Sequence, residues 1–445
     1  MAEKAIHVVM VPWSAFGHLI PFFKLSIALA KAGVRVSYVS TPRNIERLPK
    51  VPPALTDLVD FVSLPLLKLD EDLLPENAEA TVDIPPEKNQ YLMLAYDHLQ
   101  HGVKQFVADQ LPDWIICDFS THWIVDISQE FQVQYIFFSV FPSLALTSFG
   151  AGSKRKTPIS PESIRKKPSD WENYPSSASE VRDFERITTL ISASQAIICR
   201  GCYEIDGEYL RAYQKQSEKP VIPIGMLPVE RGIVDGCKDK IFEWLDKQAS
   251  KSVLFVGFGS EARLRKDQVL EIAYGLQESE LPFLWALRKP SWASDDEDFL
   301  PADFIERTSN RGVVCKTWVP QQKILAHPSI GASSFHSGWS SVIEALQFGH
   351  VQILLPLQVD QPINARFMVE KGLAIEVNKN EDGSFTGKDI ARSLRQAMVS
   401  EEGKKIRSNV EEAAAIVGNM ELHQGHYIAE FVQFLKSGIW KQKSS

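Results

Sequence analysis

Short runs of consecutive apolar residues alternate along the chain with longer segments in which apolar residues return every three or four positions. The run "IHVVMVP" at 6–12 is followed by "LIPFFKLSIALAKAG" at 19–33 and by "VRVSYVST" at 34–41. Unbroken Val, Ile and Met suit a strand covered on both faces, whereas a period near 3.6 suits an amphipathic helix. Gly33 stands where a helix C-cap favours glycine, so these segments predict a βαβ unit. Further strands of the same buried kind are expected at "WIICDF", "YIFFSV", "AIICRG" and "PVIPIG". Together they predict one doubly wound domain over residues 1–225.

Residues 151–182 are rich in Pro, Ser and charge and keep no apolar period, which predicts a long surface excursion. A Pro- and Gly-punctuated linker at 226–237 precedes a second βα series. In it "SVLFVGFGS", "PFLWALR", "GVVCKTWV", "IGASSFHS", "VQILLP" and "LAIEV" are strands, and "RKDQVLEIAYGLQES", "SSVIEALQFG" and "INARFMVEKG" are helices. "TGKD" at 386–389 has the form of a capping box opening another helix. This predicts a second domain over 238–420. The last pattern, "HYIAEFVQFLKSGIW", predicts a helix within 421–445 that packs back on the first domain. The fold class expected is α/β with two facing Rossmann-like domains, their ligands bound beyond the carboxyl ends of the strands.

Composition narrows the partners. Lys and Arg number 48 against 56 Asp and Glu, a formal charge of -8, and no basic block offers a footprint for nucleic acid or anionic lipid. The apolar run at 6–11 is too short for a signal-peptide core, and no segment approaches the roughly 20 apolar residues of a bilayer span. Five cysteines, an odd number spread along the chain, fit a reducing compartment. A cytoplasmic monomer is expected. "CRGC" at 199–202 has metal or redox spacing, but without a second pair it reads as a strand end carrying small buried thiols.

"FHSGWSSVIEALQFG" at 335–349 runs from a strand into a helix expected to start near Ser340. The unpaired N–H groups and positive dipole end of a helix start bind phosphate; Ser340 and Ser341 add hydroxyls, and Gly338 lets a ligand approach the backbone. The same residues serve equally well as a plain N-cap beside a core Trp339. Its flanks, "WVPQQKILAHPSIG" and "LPLQVDQPINARF", each open at the end of a strand.

Residues 318–361, from "WVPQ" to "VDQ", resemble the 44-residue signature box of plant UDP-dependent glycosyltransferases, with Trp, Gln, His, Gly-Trp, Ser, Glu and a closing Asp-Gln at the family's spacing. The resemblance implies a two-Rossmann-domain architecture of the GT-B type. It implies that Trp318 stacks on uracil, that the Val319 backbone and Gln321 fix the nucleoside, and that Glu344 accepts from the ribose hydroxyls. His336, Gly338, Ser340, Ser341 and Ser260 of "GFGS" would hold the diphosphate, and Trp339, Asp360 and Gln361 the sugar. Two positions depart from the family's "HCGWNS": Ser337 replaces Cys and Ser340 replaces Asn, which leaves a shorter donor at the phosphate.

"WSAFGHLIP" at 13–21 would present His18 at the end of the first strand, and Asp118 ends the strand of "WIICDF". A carboxylate beside an imidazole fixes its tautomer and stabilises the imidazolium formed on proton uptake. From the residues alone His18 could also cap or pack and Asp118 could cap a turn. The resemblance makes them general base and partner, while His122 and Asp126 read as surface or helix residues. It implies a single inverting displacement that needs no metal and no cofactor, UDP-sugar being the donor substrate. Asp296 and Asp298 in "SDDEDF" have the spacing of a manganese motif but read as a solvated acidic loop.

Gln361, at the last position of the box, resembles that of the glucose-using members, which implies UDP-glucose as donor, with rhamnosyl or xylosyl transfer as alternatives. The box resembles the branch that extends a sugar already attached to a flavonoid or terpenoid, so a glycoside acceptor is expected, a free aglycone being the alternative. The acceptor pocket would be built from loops at 80–95 and 141–150 and the excursion after Gly150, where "VFPSLALTSF" reads either as pocket lining or as a buried helix. Two readings from other classes compete. "GFGSEA" with Arg288 satisfies a loose dinucleotide fingerprint and would suit an NAD(P)-dependent oxidoreductase, and a non-catalytic nucleotide-binding protein would keep the fold alone. "GWSSV" lacks the second glycine of a hydrolase nucleophile elbow.

Overall fold

The structure, a computed structural model, describes residues 5–149, 181–230, 240–259, 261–290, 292–294, 299–357 and 360–439. The chain divides into two compact units, Met1–Leu227 with Met420–Ser445, and Pro228–Asn419. Each is a parallel sheet flanked by helices.

In the first unit β1 (His7–Val11), β2 (Arg35–Ser40), β3 (Val59–Ser63), β4 (Trp114–Cys117), β5 (Gln134–Ser139), β6 (Ala196–Cys199) and β7 (Val221–Pro223) lie in the order β3-β2-β1-β4-β5-β6-β7. Side chains of successive residues go to opposite faces, and both faces are buried. Val9, Val11, Ile115, Cys117 and Phe137 enter one core, and Val8, Met10, Trp114, Ile116 and Phe138 the other. That is why these strands read as continuous apolar runs. The edge strand β3 breaks the pattern: Asp60 and Ser63 are exposed and only Val59 is buried, so its apolar signal is weak.

Residues 420–437 complete the second of these cores with Ile428, Phe431, Phe434 and Leu435. A wide turn with i to i+5 hydrogen bonding, Glu421–Ile428, leads into the helix Ala429–Ser437. The Trp114 indole N–H donates to Leu435 O at 2.9 Å, and Gln424 Nε2 donates to Ala28 O at 2.8 Å.

The second unit holds β8 (Val253–Gly257), β9 (Phe283–Ala286), β10 (Gly312–Cys315), β11 (Ile330–Phe335), β12 (Val351–Leu354) and β13 (Ala374–Glu376) in the order β10-β9-β8-β11-β12-β13. The capping box forms as its residues dictate: Thr386 Oγ1 accepts from Asp389 N, and Asp389 Oδ2 accepts from Thr386 N.

In both sheets the strand order reverses once, between β1 and β4 and between β8 and β11, and all neighbours are parallel. The crevice beyond the carboxyl ends at such a reversal is where open α/β sheets receive ligands, because the connections leave to opposite faces there.

Residues 80–95, expected as a loop, are partly helical, and 141–150 takes the buried-helix reading of the two offered. Residues 80–95 form short 3-10 turns, Thr81–Asp83 and Pro86–Lys88, followed by the helix Asn89–Asp97, which buries Leu92, Met93, Ala95 and Tyr96. Most of 141–150 is the helix Ser143–Phe149, where Leu144, Ala145 and Leu146 are buried. Apolar residues at helical spacing, Leu92, Met93, Ala95 and Tyr96, supply the buried face of the first of these helices. The excursion at 151–182 falls almost wholly outside the described residues. Among those residues no helix is long and apolar enough to cross a membrane.

Candidate active site

Beyond β1 and β4 the structure brings His18 and Asp118 together. His18 is the third residue of the helix Phe16–Lys31, and Asp118 follows Cys117, the last residue of β4. His18 Nδ1 and Asp118 Oδ2 are 2.7 Å apart, the side chains 12% and 2% exposed. The carboxylate is itself fixed, accepting from Trp13 N at 3.0 Å through Oδ2 and from Phe119 N at 2.8 Å through Oδ1. With both oxygens accepting from backbone N–H groups, the side chain presents an acceptor to His18 Nδ1. The tautomer is thereby set: Nδ1 carries the hydrogen, and Nε2 carries the lone pair that takes a proton. Phe119 and Phe141 flank the ring at centroid distances of 5.4 Å and 5.6 Å.

His122, expected at the surface or in a helix, stands half-buried in the turn before the helix Ile124–Phe131. Its Nδ1 lies 2.8 Å from Nη1 of the fully buried Arg186, which also reaches Ser120 O and Asp97. Burial and the Arg186 charge hold the His122 pKa below the ordinary histidine range. Asp126 lies in the first turn of the helix Ile124–Phe131. Arg186 and Leu190 form the buried stripe of the helix Asp183–Ala193. Their four-residue spacing is the signal in the sequence that could have revealed the arginine.

Beyond β8 and β11 a second cluster forms. Phe335 ends β11, and the helix Trp339–Gln347 starts one residue earlier than expected, with Gly338 as its N-cap. Between them Ser337 takes a left-handed φ of 69°. A Cβ on Gly338 would lie 2.6 Å from His336 Nε2, and one on Gly259 would lie 3.0 Å from His336 Cε1. Only glycine therefore lets the "GFGS" loop and the turn close on the imidazole from two sides. Arg288 Nη2 braces that loop by donating to Gly259 O at 2.9 Å. Burial pushes the His336 pKa down to about 4, so near pH 7 the ring is neutral and acts as a hydrogen-bonding group. His336 Nδ1 and Ser337 Oγ are buried and have no partner among the described residues. Buried polar atoms are normally paired, so two orphans at one turn mark a place for a ligand to satisfy.

The rest of the predicted set falls into three groups. Trp318 is 82% exposed, an indole available for stacking, while Val319 is buried and its carbonyl accepts from Gln321 N at 2.8 Å. Ser340 and Ser341 lie in the first turn of the helix Trp339–Gln347 and Glu344 in its second, with Glu344 buried. Trp339 is only 4% exposed and packs edge-on against Phe367 at 5.9 Å, so its indole is core. Asp360 caps the helix Gln361–Glu370. Gln361 Oε1 accepts from Leu357 N at 2.9 Å. Asn364, overlooked from sequence, donates to both Asp360 Oδ2 at 2.6 Å and Ser337 O at 2.9 Å, tying the acid to the turn. It stands four residues after Asp360, on the same helix face. Ser260, Asp296 and Asp298 lie outside the described residues.

The model of the family described as "UDP-glucoronosyl and UDP-glucosyl transferase" matches residues 177–412. The UDP-glycosyltransferase 91C1 of Arabidopsis thaliana is 38% identical over 98% of this chain and 97% of its own length. The chain belongs to the UDP-glycosyltransferase family. The soyasaponin III rhamnosyltransferase of Glycine max is 36% identical to this glycosyltransferase over 98% of this chain and 96% of its own. Among solved structures, UGT73P12 of Glycyrrhiza uralensis, complexed with glycyrrhetinic acid 3-O-monoglucuronide, superposes with a TM-score of 0.82 over 98% of this chain and 96% of its own at 22% identity. The architecture of this glycosyltransferase is GT-B.

The dinucleotide reading of "GFGSEA" fails on local geometry. The helix after it starts only at Lys266, so the glycines do not deliver a phosphate to a helix start, and Arg288 is engaged by Gly259 O. Among the described residues no group of three or more His, Cys, Asp or Glu could hold a metal. Cys199 and Cys202 are free and buried, and burial raises both thiols well above their usual range.

Proposed function

We propose that this glycosyltransferase moves a sugar, glucose from UDP-glucose, onto a hydroxyl of the sugar of a flavonoid or terpenoid glycoside, with inversion at the anomeric carbon. The observation that carries the reading is the His18–Asp118 pair at 2.7 Å with its carboxylate anchored by two backbone N–H groups. His18 Nε2 takes the proton of the acceptor hydroxyl, whose oxygen attacks the anomeric carbon as the bond to UDP breaks. Asp118 stabilises the imidazolium that results. Charge developing on the leaving diphosphate meets the amides of the first turn of Trp339–Gln347, the Ser340 and Ser341 hydroxyls and the neutral His336. These fixed dipoles do the work without a metal or other cofactor. Trp318 stacks on the uracil, and Gln321 and Glu344 fix the nucleoside.

Glucose is favoured because Asp360 and Gln361 close the signature box as in the glucose-using members that this sequence resembles. Likeness to a rhamnosyltransferase supports UDP-rhamnose as the second reading. The test is product mass spectrometry with UDP-glucose, UDP-rhamnose and UDP-xylose, each with free aglycones and their monoglucosides, in buffer containing a chelator. Hexose gain on monoglucosides is expected. Transfer to free aglycones alone would refute the acceptor assignment, and loss of transfer in chelator would refute the metal-free mechanism.

A further inference from the structure

We propose that Arg186, Asp97 and His122 form a positioning brace that sets the Asp118 carboxylate against His18, an inference that rests on the dyad reading above. Arg186 is fully buried within the first unit. Nη1 and Nη2 donate to the two oxygens of Asp97 at 2.7 Å and 2.6 Å, a bidentate pair at the end of the helix Asn89–Asp97. The two hydrogens of Nη1 are shared among Asp97 Oδ1, Ser120 O at 2.7 Å and His122 Nδ1 at 2.8 Å, so one of these bonds is bifurcated, and Nε donates to Val181 O at 3.1 Å. Ser120 and His122 stand two and four residues after Asp118, and the intervening turn is closed by Thr121 Oγ1 donating to Asp118 O at 2.7 Å. One planar cation thus grips the segment that carries the carboxylate and ties it to a neighbouring helix.

The same helix also reaches the other side of the dyad. Tyr96, beside Asp97, donates its hydroxyl to Pro12 O at 2.7 Å, and Pro12 precedes the Trp13 whose N–H holds Asp118 Oδ2. Both segments that fix the carboxylate are therefore referenced to one rigid element. For an arginine to donate to His122 Nδ1, that nitrogen must carry its lone pair, so His122 takes part as neutral imidazole with its hydrogen on Nε2. Arg186, Asp97 and Asp126 are the charged groups around His122, and Asp183 and Asp97 those around Arg186. Around Asp118 lie His18, Tyr38, Tyr96 and Cys117. A buried bidentate arginine resists tilting in a way a flexible lysine does not, and carboxylate placement to within about 1 Å can decide a hundredfold in rate.

The experiment compares His122→Leu, His122→Asn and Arg186→Lys in the full-length enzyme with UDP-glucose and the acceptor found above. Asparagine keeps an acceptor oxygen where Nδ1 stands; leucine does not. We expect His122→Leu and Arg186→Lys to lower kcat about 10- to 100-fold with the donor KM unchanged. The acidic limb of the kcat/KM profile should move to lower pH, because a misaligned carboxylate stabilises the His18 imidazolium less. His122→Asn should restore kcat to within about threefold of wild type, since one hydrogen bond to the cation is kept. A purely structural role would lower the melting temperature and the active fraction without moving the pH profile. Unchanged kcat and acidic limb in both His122→Leu and Arg186→Lys, beside an inactive His18→Ala, would overturn the brace and leave the dyad intact. Should Arg186→Lys fail to fold, the two His122 variants decide alone. An active His18→Ala enzyme would remove the dyad reading and the brace with it.

Discussion

Replacing Asp118 by asparagine changes one atom of the site and almost none of its volume. The carboxylate accepts three hydrogen bonds, from Trp13 N, Phe119 N and His18 Nδ1. The amide has one oxygen. If the oxygen stays towards His18 and Trp13, the NH2 group faces the Phe119 N–H; if it turns, the NH2 faces the Trp13 N–H and forces His18 into the other tautomer. Each orientation sets donor against donor in a site 2% exposed, which costs about 1–3 kcal/mol of stability. Each also removes the charge facing the imidazolium that forms as the acceptor loses its proton. Loss of a charge-assisted bond alone is worth about 1.5–3 kcal/mol, and the wrong tautomer can raise the total loss to about 10^4-fold. At about 1.4 kcal/mol per decade, kcat should fall between about 10- and 10^4-fold. The assay is initial-rate UDP release with a saturating glycoside acceptor, paired with calorimetric titration of UDP. UDP affinity should stay within about twofold, because every residue assigned to the donor lies in the other unit. A kcat within threefold of wild type, or a loss confined to donor KM, would refute the role given to Asp118.

Four further outcomes follow. Trp318→Ala should weaken UDP binding about 5- to 150-fold, the value of one base stack, with no change in melting temperature because the ring is 82% exposed; unchanged affinity by calorimetry would remove the stacking assignment. Gly338→Ala drives a Cβ to 2.6 Å from His336 Nε2 and should weaken UDP binding at least about tenfold. Thr386→Ala removes a cap far from the chemistry and should cost about 1 kcal/mol in denaturant titration at unchanged kcat. Burial holds His336 and His350 near 4 and 3, below the ordinary value of 6.5 that applies once the chain unfolds. Between those limits the unfolded chain binds more protons, so stability is steady above about pH 6.5 and declines as pH falls towards 4. The decline should reach a few kcal/mol, and His350→Gln should flatten it in urea titrations across that range.

Strands covered on both faces declared themselves in the sequence because apolar residues dominate them, as in "WIIC" at 114–117 and "AIIC" at 196–199. Their reversal points could then be reached only through a motif, and the signature box supplied one of the two. Three things were not legible, each for a physical reason. The strand β3 is half exposed at a sheet edge, so its pattern resembles a loop. The helix Asn89–Asp97 follows Pro85 and Pro86, which mask its start although they cost it nothing at a first turn. Arg186 and Asn364 act through neighbours far away along the chain or a turn apart, and a residue type alone does not say whom it will meet. Trp339 shows the converse: its motif position suggested a contact with sugar, and its packing against Phe367 makes the indole part of the core.

The return of residues 420–437 to the first unit has a consequence in the order of synthesis. A ribosome releases residues 228–419, with all the strands of the second sheet, before it releases Phe431, Phe434 and Leu435. The second unit, although later in the chain, can therefore finish folding first. The first sheet meanwhile waits with Trp114, which packs against Phe434 in the finished fold, lacking that cover. That interval is when a nascent chain with an open apolar sheet is most exposed to aggregation and to chaperones.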